Sequence, residues 1–309
     1  MDQPAKNSKP GAPSHHRLID WARMLVMILL WGTAFALLKV SVAEVPPTTV
    51  VMGRLWVGAL MLLIWVRIRG RSMPRLWGPM DVHWKWFALL GATGATIPFS
   101  LISWGQQSMD SAMTGIFMAI MPLATIALAH VFVPGEQMNL RKFAGFALGF
   151  IGVVILMGPQ ILFHLGGETF IAQIAVIFGA LFYAVQAILA RNMPPISPSV
   201  SAAGLLLCAA IFITPFGIVD AIGMSMPSTG ALISILALGL GATGLGGILM
   251  MMVIRDAGPS FLALSNYLMP MVAVGVGMLI GEKLGLNVWV ALVVILLGLA
   301  LAGLRRSSN

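Results

Sequence analysis

Charged residues are scarce in this chain: Asp, Glu, Lys and Arg make up 9% of its 309 residues, while hydrophobic residues make up 59%. A water-soluble domain uses roughly 25% charged residues to cover its surface. The shortage therefore excludes an ordinary soluble protein and predicts an integral membrane protein. The length suffices for about ten membrane spans of roughly 20 residues each.

Cysteine and buried acid are also scarce. The single cysteine, Cys208, lies inside an apolar run and has no partner for an internal disulfide, so we expect a small core residue. The ten acidic residues all fall in tails, loops or the ends of apolar segments. Exchange of cationic drugs for protons usually requires a carboxylate within the membrane. The sequence therefore disfavours a proton-coupled pump for cationic drugs.

The motifs of common enzymes are missing as well. The chain has no Ser-His-Asp set, no His-Glu-x-x-His helix, no phosphate-binding loop and no cysteine cluster. We therefore expect no enzymatic activity, no cofactor and no bound metal.

Apolar runs dominate the rest of the sequence. Each run must be helical, because backbone groups in lipid find no water to bond, and the alternating polarity of a membrane barrel is absent. We predict an all-α integral membrane protein, with residues 1–20 as a disordered cytoplasmic tail. The ten predicted spans, numbered in chain order, are 22–42, 48–69, 85–104, 112–133, 141–158, 169–190, 200–220, 231–253, 260–280 and 287–304.

One pattern occurs twice along the chain. Met121-Pro122, an apolar run and Gly135-Glu136 return as Met269-Pro270, an apolar run and Gly281-Glu282. A self-similarity of this length indicates two halves of similar build, which we take as a first repeat, 21–158, and a second repeat, 169–304. Because each half has an odd number of spans, the second enters the membrane from the opposite side. Such inverted repeats are typical of secondary transporters, which hold the substrate near the midplane.

The basic residues predict the orientation. Of the 18 lysines and arginines, fifteen fall on one side of the predicted spans, Lys283 falls on the other, and Lys39 and Arg54 lie within spans. Positive residues concentrate on the cytoplasmic side, so both termini should be cytoplasmic. This distribution also explains the net charge of +8 without a nucleic-acid partner.

The residues of the first span resemble a known family. Trp31-Gly32-Thr33-Ala34-Phe35, followed by Lys39 and Arg54, together with the doubled Met-Pro and Gly-Glu pattern, resembles the EamA type of the drug/metabolite transporter superfamily. The chain looks most similar to its YddG-type exporters of aromatic amino acids. In the second half Gln186 stands where the first half has Lys39, so the halves are not chemically equivalent.

The resemblance implies an inner-membrane exporter of small metabolites. It implies a central cavity lined mainly by spans one, three, four, six, eight and nine, with spans five and ten at the periphery.

Two charged side chains are candidates for the transport path. Lys39 lies near the outer end of span one, where it either attracts a substrate carboxylate, pairs with an outer acid such as Glu44 or Asp110, or simply reaches the lipid headgroups. Arg54 lies deeper, where an unpaired charge costs about 2–3 kcal/mol on insertion scales. A partner or a water-filled cavity is therefore expected around Arg54.

Spans three and eight are both interrupted by glycine, and broken segments at matching positions indicate a transporter site. The alternative is close helix packing through small residues. The candidates here are Gly91, Gly94, Pro98, Ser100 and Ser103 in span three, and Thr243 and Gly244 in span eight.

Polar groups and deep aromatic residues complete the candidate cavity. An aromatic pocket with a few hydrogen-bonding groups suits an apolar amino-acid side chain, although the same residues also fit a core or lipid-facing role. The candidates are Trp31 and Phe35 in span one, Tyr183 and Gln186 in span six, and Ser265, Asn266 and Tyr267 in span nine.

The sequence thus predicts a secondary transporter that exports amino acids, aromatic ones foremost, and related metabolites by alternating access. A broad drug or metabolite exporter and a channel are the alternatives. The expected partners are a small-molecule substrate and the bilayer of the inner (plasma) membrane. The substrate, the coupling ion and the oligomeric state are not encoded in any motif.

Overall fold

In the computed structural model, the described residues are 18–76, 81–109, 114, 117–135, 137–157, 169–269 and 286–303. These residues form helices joined by short connections and contain no β-strand. The helices are α1 Leu18–Val42, α2 Pro47–Ile68, α3 Val82–Ser108, α4 Met121–Phe132, α5 Leu140–Met157, α6 Phe170–Asn192, α7 Pro198–Ala221, α8 Thr229–Ala257, α9 Pro259–Ala263 and α10 Leu286–Gly303.

Six of these helices, α1, α2, α3, α6, α7 and α8, are long and apolar enough to cross a membrane. Many of their large apolar side chains face outward, as lipid contact requires, among them Leu25, Ile64 and Phe216. The all-helical membrane fold expected from composition is thus confirmed for the described part of the chain.

Local sequence sets where several helices begin. Proline occupies the first helical position of both α2 and α7, where its missing N–H costs nothing. Asp81 caps α3 by accepting a hydrogen bond from the His83 N–H, and Ser228 caps α8 by accepting one from the Ala231 N–H. Each side-chain oxygen satisfies a backbone donor that a helix start leaves free.

The fourth predicted span needs correction. The predicted span covers 112–133 with a kink at Pro122, whereas residues 119–120 form a turn and the helix begins at Met121. Pro122 lies at the start of this helix, because proline cannot continue a helix from the preceding turn. In the ninth span the chain turns at Leu264 and is helical again over 265–269. Pro270 lies outside the described residues.

The glycine-rich spans are continuous helices with a wide turn rather than broken ones. In α3 the residues Ala92–Thr96 are π-helical, and in α8 the residues Leu238–Leu245 are π-helical. A π turn inserts an extra residue into the helix and occurs often at functional sites. The two wide turns occupy the positions where the sequence repeats Gly-Ala-Thr-Gly.

Helices α2 and α7 pack against each other and run in opposite directions. Near the start of α2, the Thr49 hydroxyl donates to the Gly217 carbonyl near the end of α7 at 2.9 Å. Just beyond the end of α2, Arg71 donates to Ser197 and Ser199 at the start of α7, at 2.7 and 2.9 Å. Each end of one helix therefore meets the opposite end of the other.

Helices α5 and α10 form a second antiparallel pair. A Cβ atom added to Gly145 would lie 2.6 Å from the Ala302 nitrogen, and one added to Gly152 would lie 2.5 Å from Ile295. Small residues let the two backbones approach closely, as is common between membrane helices.

Two further pairs of contacts repeat between the halves. Helix α3 packs on α6 as α8 packs on α1, and α3 packs on α7 as α8 packs on α2. Each contact in these two comparisons becomes the other when every helix is exchanged for its counterpart in the other half of the chain.

Candidate functional site

A cavity of about 430 Å³ lies between the two halves of the chain. Its size is within the roughly 300–1,000 Å³ of small-molecule sites. Among the described residues, every helix except α5 and α10 contributes to its lining. Helix α2 contributes Arg54 and α7 contributes Leu205 and Leu206, in addition to the six helices that the family resemblance implied.

Among the described residues, Arg54 is the only arginine or lysine that lines this cavity. The residue is 7% exposed. Its Nε donates to the Thr243 hydroxyl at 3.0 Å, and its guanidinium carbon lies 4.0 Å above the centre of the Phe99 ring. The Phe99 ring in turn contacts Tyr183 edge-on, with centroids 6.1 Å apart. Arg54 is thus held by a hydroxyl and an aromatic face.

No carboxylate pairs with Arg54 among the described residues. Its two terminal amino groups form no hydrogen bond within the same part of the chain. A buried guanidinium is a rigid fork that matches a carboxylate in a bidentate manner. The arrangement therefore offers a binding point for an anionic group.

Trp31 links α1 to the wide turn of α8. Its indole N–H donates to the carbonyl of Ala242 at 3.0 Å, within the π-helical turn. A Cβ atom at Gly246 would lie 2.7 Å from the same indole nitrogen, so glycine leaves room for the ring. The indole ring of Trp31 is thus held by its hydrogen bond to the wide turn and fits into the space beside Gly246.

Gln186 of α6 lies directly on Gly94 in the wide turn of α3. A Cβ atom at Gly94 would approach the Gln186 side chain to 2.0 Å. The Gln186 Nε2 and the Ser103 hydroxyl are buried and have no hydrogen-bond partner among the described residues. Both side chains line the cavity, so they are donors and acceptors available to a bound molecule.

Asn266 and methionines form another part of the wall. The Asn266 amide nitrogen lies 3.2 Å from the sulfur of Met121. Three more methionines, Met118, Met250 and Met269, line the same cavity. Methionine side chains are flexible and polarisable, so this wall can adapt to apolar groups of different shape.

Eight of the predicted site residues thus meet at the cavity: Trp31, Arg54, Gly94, Ser103, Tyr183, Gln186, Thr243 and Asn266. The structure brings these residues together from five helices and the segment that follows α9.

The other predicted residues of span three, and Gly244, lie against neighbouring backbone or side chains. A Cβ at Gly91 would lie 2.7 Å from the Leu205 carbonyl, and one at Gly244 would lie 3.0 Å from the sulfur of Met61. Pro98 is buried, and Ser100 donates to the Thr96 carbonyl at 2.8 Å.

The remaining predicted residues also point elsewhere or cannot be described. Ser265 donates to the Leu262 carbonyl at 2.7 Å, and Tyr267 donates to the Phe146 carbonyl of α5 at 2.8 Å. Lys39 is exposed near the end of α1, next to Leu38, which lines the cavity. The side chain of Phe35 lies outside the described residues.

Phe99, which contacts Arg54, is a site residue that sequence reasoning missed. Its signal was indirect: Arg54 required a partner, and no acidic residue falls in the middle of a span. An aromatic ring stabilises a cation through its negative face, so aromatic rings were among the partners that the sequence left open. The sequence does not reveal which aromatic residue contacts Arg54.

Glu44, one possible partner of Lys39, bonds instead to the start of α8. Its carboxylate accepts hydrogen bonds from the Ser228 N–H and hydroxyl, both at 2.7 Å. These bonds hold the pKa of the Glu44 carboxyl below its ordinary value of 4.5. The α1–α2 connection is therefore tied to α8. Asp110, the other acid considered, lies outside the described residues.

At the other end of α1 an ion pair joins the same two helices. Arg23 contacts Asp256 at 2.8 Å and Asp20 at 3.1 Å.

Among the described residues, no group of three or more metal-ligating side chains is close enough to hold an ion.

Comparison with known proteins gives one family. A model of the EamA-like transporter family matches residues 21–158 and again residues 170–304. A solved crystal structure of a protein with 22% identity superposes with a TM-score of 0.77, covering 93% of this chain and 97% of that one. That likeness supports the fold alone.

Curated relatives are distant. The uncharacterized inner membrane transporter YedA of Escherichia coli is 22% identical over 92% of this chain and 90% of its own length. The uncharacterized transporter YoaV of Bacillus subtilis is 22% identical over 54% and 56%, respectively. A probable terminal-alkyne amino-acid exporter of Streptantibioticus cattleyicolor is 27% identical over 55% and 56%. The chain spans little more than half the length of the last two relatives.

Proposed function

Because this chain belongs to the EamA-like transporter family, whose members are membrane transporters rather than enzymes, we propose that it is a secondary transporter for amino acids and related metabolites. Among the amino acids the aromatic ones are the foremost substrates, and export across the inner membrane is the direction. The substrate occupies the cavity between the two halves of the chain.

The buried guanidinium of Arg54 carries this proposal. It lines a cavity whose other walls are mostly apolar, and its terminal amino groups have no partner among the described residues. A substrate carboxylate satisfies this charge, while the substrate side chain contacts Phe99 and the methionines. One relative that is named a probable amino-acid exporter supports the same substrate class.

Alternating access follows from an inverted arrangement of the halves. We infer that 21–158 and 169–304 are two five-span repeats in opposite orientations. The antiparallel pairing of α2 with α7 and of α5 with α10 supports this inference, because counterparts in an inverted repeat run in opposite directions. The two wide turns, in α3 and α8, occupy matching positions in the two halves, and both contribute residues to the cavity lining.

The orientation has its own test. Both termini are proposed to be cytoplasmic, since basic residues concentrate on that side. Single cysteines introduced at Glu136 and Glu282, in a variant without Cys208, should react with a membrane-impermeant thiol reagent from opposite faces. Labelling of both positions from the same face would refute the inverted repeat.

Transport in proteoliposomes tests the function. Labelled phenylalanine should accumulate by counterflow into vesicles preloaded with unlabelled phenylalanine, and unlabelled phenylalanine should compete better than methyl viologen. Stronger competition by methyl viologen would instead indicate a broad drug exporter. Ohmic single-channel currents would indicate a channel.

A further inference from the structure

The charge balance of the cavity distinguishes between classes of carboxylate. Arg54 supplies one full positive charge, and no residue that lines the cavity is acidic in the described part of the chain. The remaining polar groups of the lining are neutral: Trp31, Ser103, Tyr183, Gln186, Thr243 and Asn266.

No carboxylate elsewhere in the described part of the chain is positioned to balance this charge. Glu44 is bonded to the start of α8, and Asp20 and Asp256 pair with Arg23. Asp81 caps α3, and Asp220 bonds to Thr48 beside the start of α2. The other five acidic residues fall in the N-terminal tail or between the predicted spans: Asp2, Asp110, Glu136, Glu168 and Glu282.

A buried site binds best when the complex carries no net charge, because an uncompensated charge in a low-dielectric interior is costly. A monoanion bound to Arg54 gives a neutral complex. The carboxylate of a zwitterion pairs with Arg54, but the ammonium group of the zwitterion then faces only neutral acceptors. The complex therefore keeps a net positive charge. A cation adds a second positive charge.

We infer that this site prefers carboxylates without a charged amine, such as N-acylated amino acids and aromatic acids that lack the amine, over zwitterionic amino acids. The inference rests on the proposed function, since it assigns a preference within the same substrate class at the same cavity. The amine or its substituent faces neutral groups, among which the Gln186 amide has an unpaired nitrogen.

Three probes with one benzyl side chain test the preference: N-acetylphenylalanine is an anion at neutral pH, phenylalanine is a zwitterion, and phenylalanine methyl ester has no carboxylate and a partly protonated amine. Each is titrated as a competitor in counterflow assays with labelled phenylalanine and with labelled N-acetylphenylalanine. We expect N-acetylphenylalanine to inhibit at about tenfold lower concentration than phenylalanine, which corresponds to about 1.4 kcal/mol, and the ester to inhibit least.

The outcomes separate the two proposals. Phenylalanine inhibiting at an equal or lower concentration would overturn the preference while leaving the proposed function standing. Absence of counterflow with both labelled probes would overturn the preference and the function together. These measurements use the unaltered protein, so neither result depends on the folding of a variant.

A substitution tests the cause. Gln186→Glu adds a carboxylate of the same shape to the cavity wall, and it should reduce the ratio of inhibitory concentrations of phenylalanine to N-acetylphenylalanine from about ten to about one. Gln173→Glu is the matched control, since Gln173 is buried on the same helix but does not line the cavity. An unchanged ratio in a folded Gln186→Glu protein would overturn the charge-balance explanation.

Discussion

The close contact between Gly94 and Gln186 allows one prediction to be worked out in detail. A Cβ atom at Gly94 would lie 2.0, 2.1 and 2.4 Å from three atoms of the Gln186 side chain, closer than side-chain carbons approach one another. Gln186 is 2% exposed, and the adjacent open space is the cavity itself. Gly94→Ala should therefore push the Gln186 amide into the cavity.

The expected cost is that of an overpacked core, about 1–3 kcal/mol. Shortening Gln186 to alanine removes the three clashing atoms, so the double variant should regain about 1–2 kcal/mol relative to the sum of the single variants. Thermal unfolding in detergent measures this coupling, and counterflow of labelled phenylalanine should show a higher KM for Gly94→Ala alone.

A nearby glycine provides the control. Gly247 also lines the cavity, but a Cβ atom there would meet nothing within 4 Å, so Gly247→Ala should be tolerated. The reasoning is refuted if Gly94→Ala behaves like Gly247→Ala. It is also refuted if alanine at 186 gives no relief.

Three further changes have defined outcomes. Trp31→Phe removes the hydrogen bond to the wide turn of α8 but keeps a ring, and should cost about 1 kcal/mol in unfolding free energy together with a lower transport rate; unchanged values in both assays would contradict the role of this bond. Gly298→Ala should separate α5 from α10, because its Cβ would lie 2.7 Å from the Gly145 carbonyl; it should lower the melting temperature without changing competition between substrates, and an altered competition order would contradict a peripheral role. Glu44→Gln should flatten the acid side of the plot of melting temperature against pH. The pKa of Glu44 is lowered in the folded protein, so its bonds to Ser228 stabilise the fold above about pH 4.5 and are lost as the pH falls through the folded-state pKa. Identical plots for the variant and the wild type down to about pH 3 would refute this link.

Hydrophobic patterning predicted the helices well because membrane burial leaves one solution for the backbone. The third span was expected at 85–104 and runs over Val82–Ser108, and the eighth was expected at 231–253 and runs over Thr229–Ala257. The polar caps Asp81 and Ser228 start both helices before the apolar run begins, which hydropathy does not register.

The wide turns were less predictable. Glycine at matching positions indicated a weak point in spans three and eight, but not whether the helix would break or widen. The structure has a wide turn in each case, which keeps the helix continuous. Residues distant in the sequence contact both turns: Gln186 lies against Gly94, and Trp31 donates to the Ala242 carbonyl.

Side-chain direction limited the prediction of the site. Ser265, Asn266 and Tyr267 were proposed together, yet consecutive residues on a helix point about 100° apart. The structure brings Asn266 to the cavity, while Tyr267 bonds to α5. Hydropathy does not show which face of this short segment points toward the cavity. The three residues therefore could not be distinguished from the sequence.

Equilibrium binding tests the central claim most directly, because it measures whether Arg54 holds the carboxylate of the substrate. A radiolabelled aromatic carboxylate is titrated onto purified wild-type protein, onto Arg54→Gln, and onto Arg69→Gln, a control that removes an arginine just beyond the end of α2. Removing one partner of a buried charge pair costs about 2–5 kcal/mol, so Arg54→Gln should raise the Kd at least about 30-fold, while Arg69→Gln should match the wild type. A folded Arg54→Gln protein that binds with wild-type affinity would contradict the account.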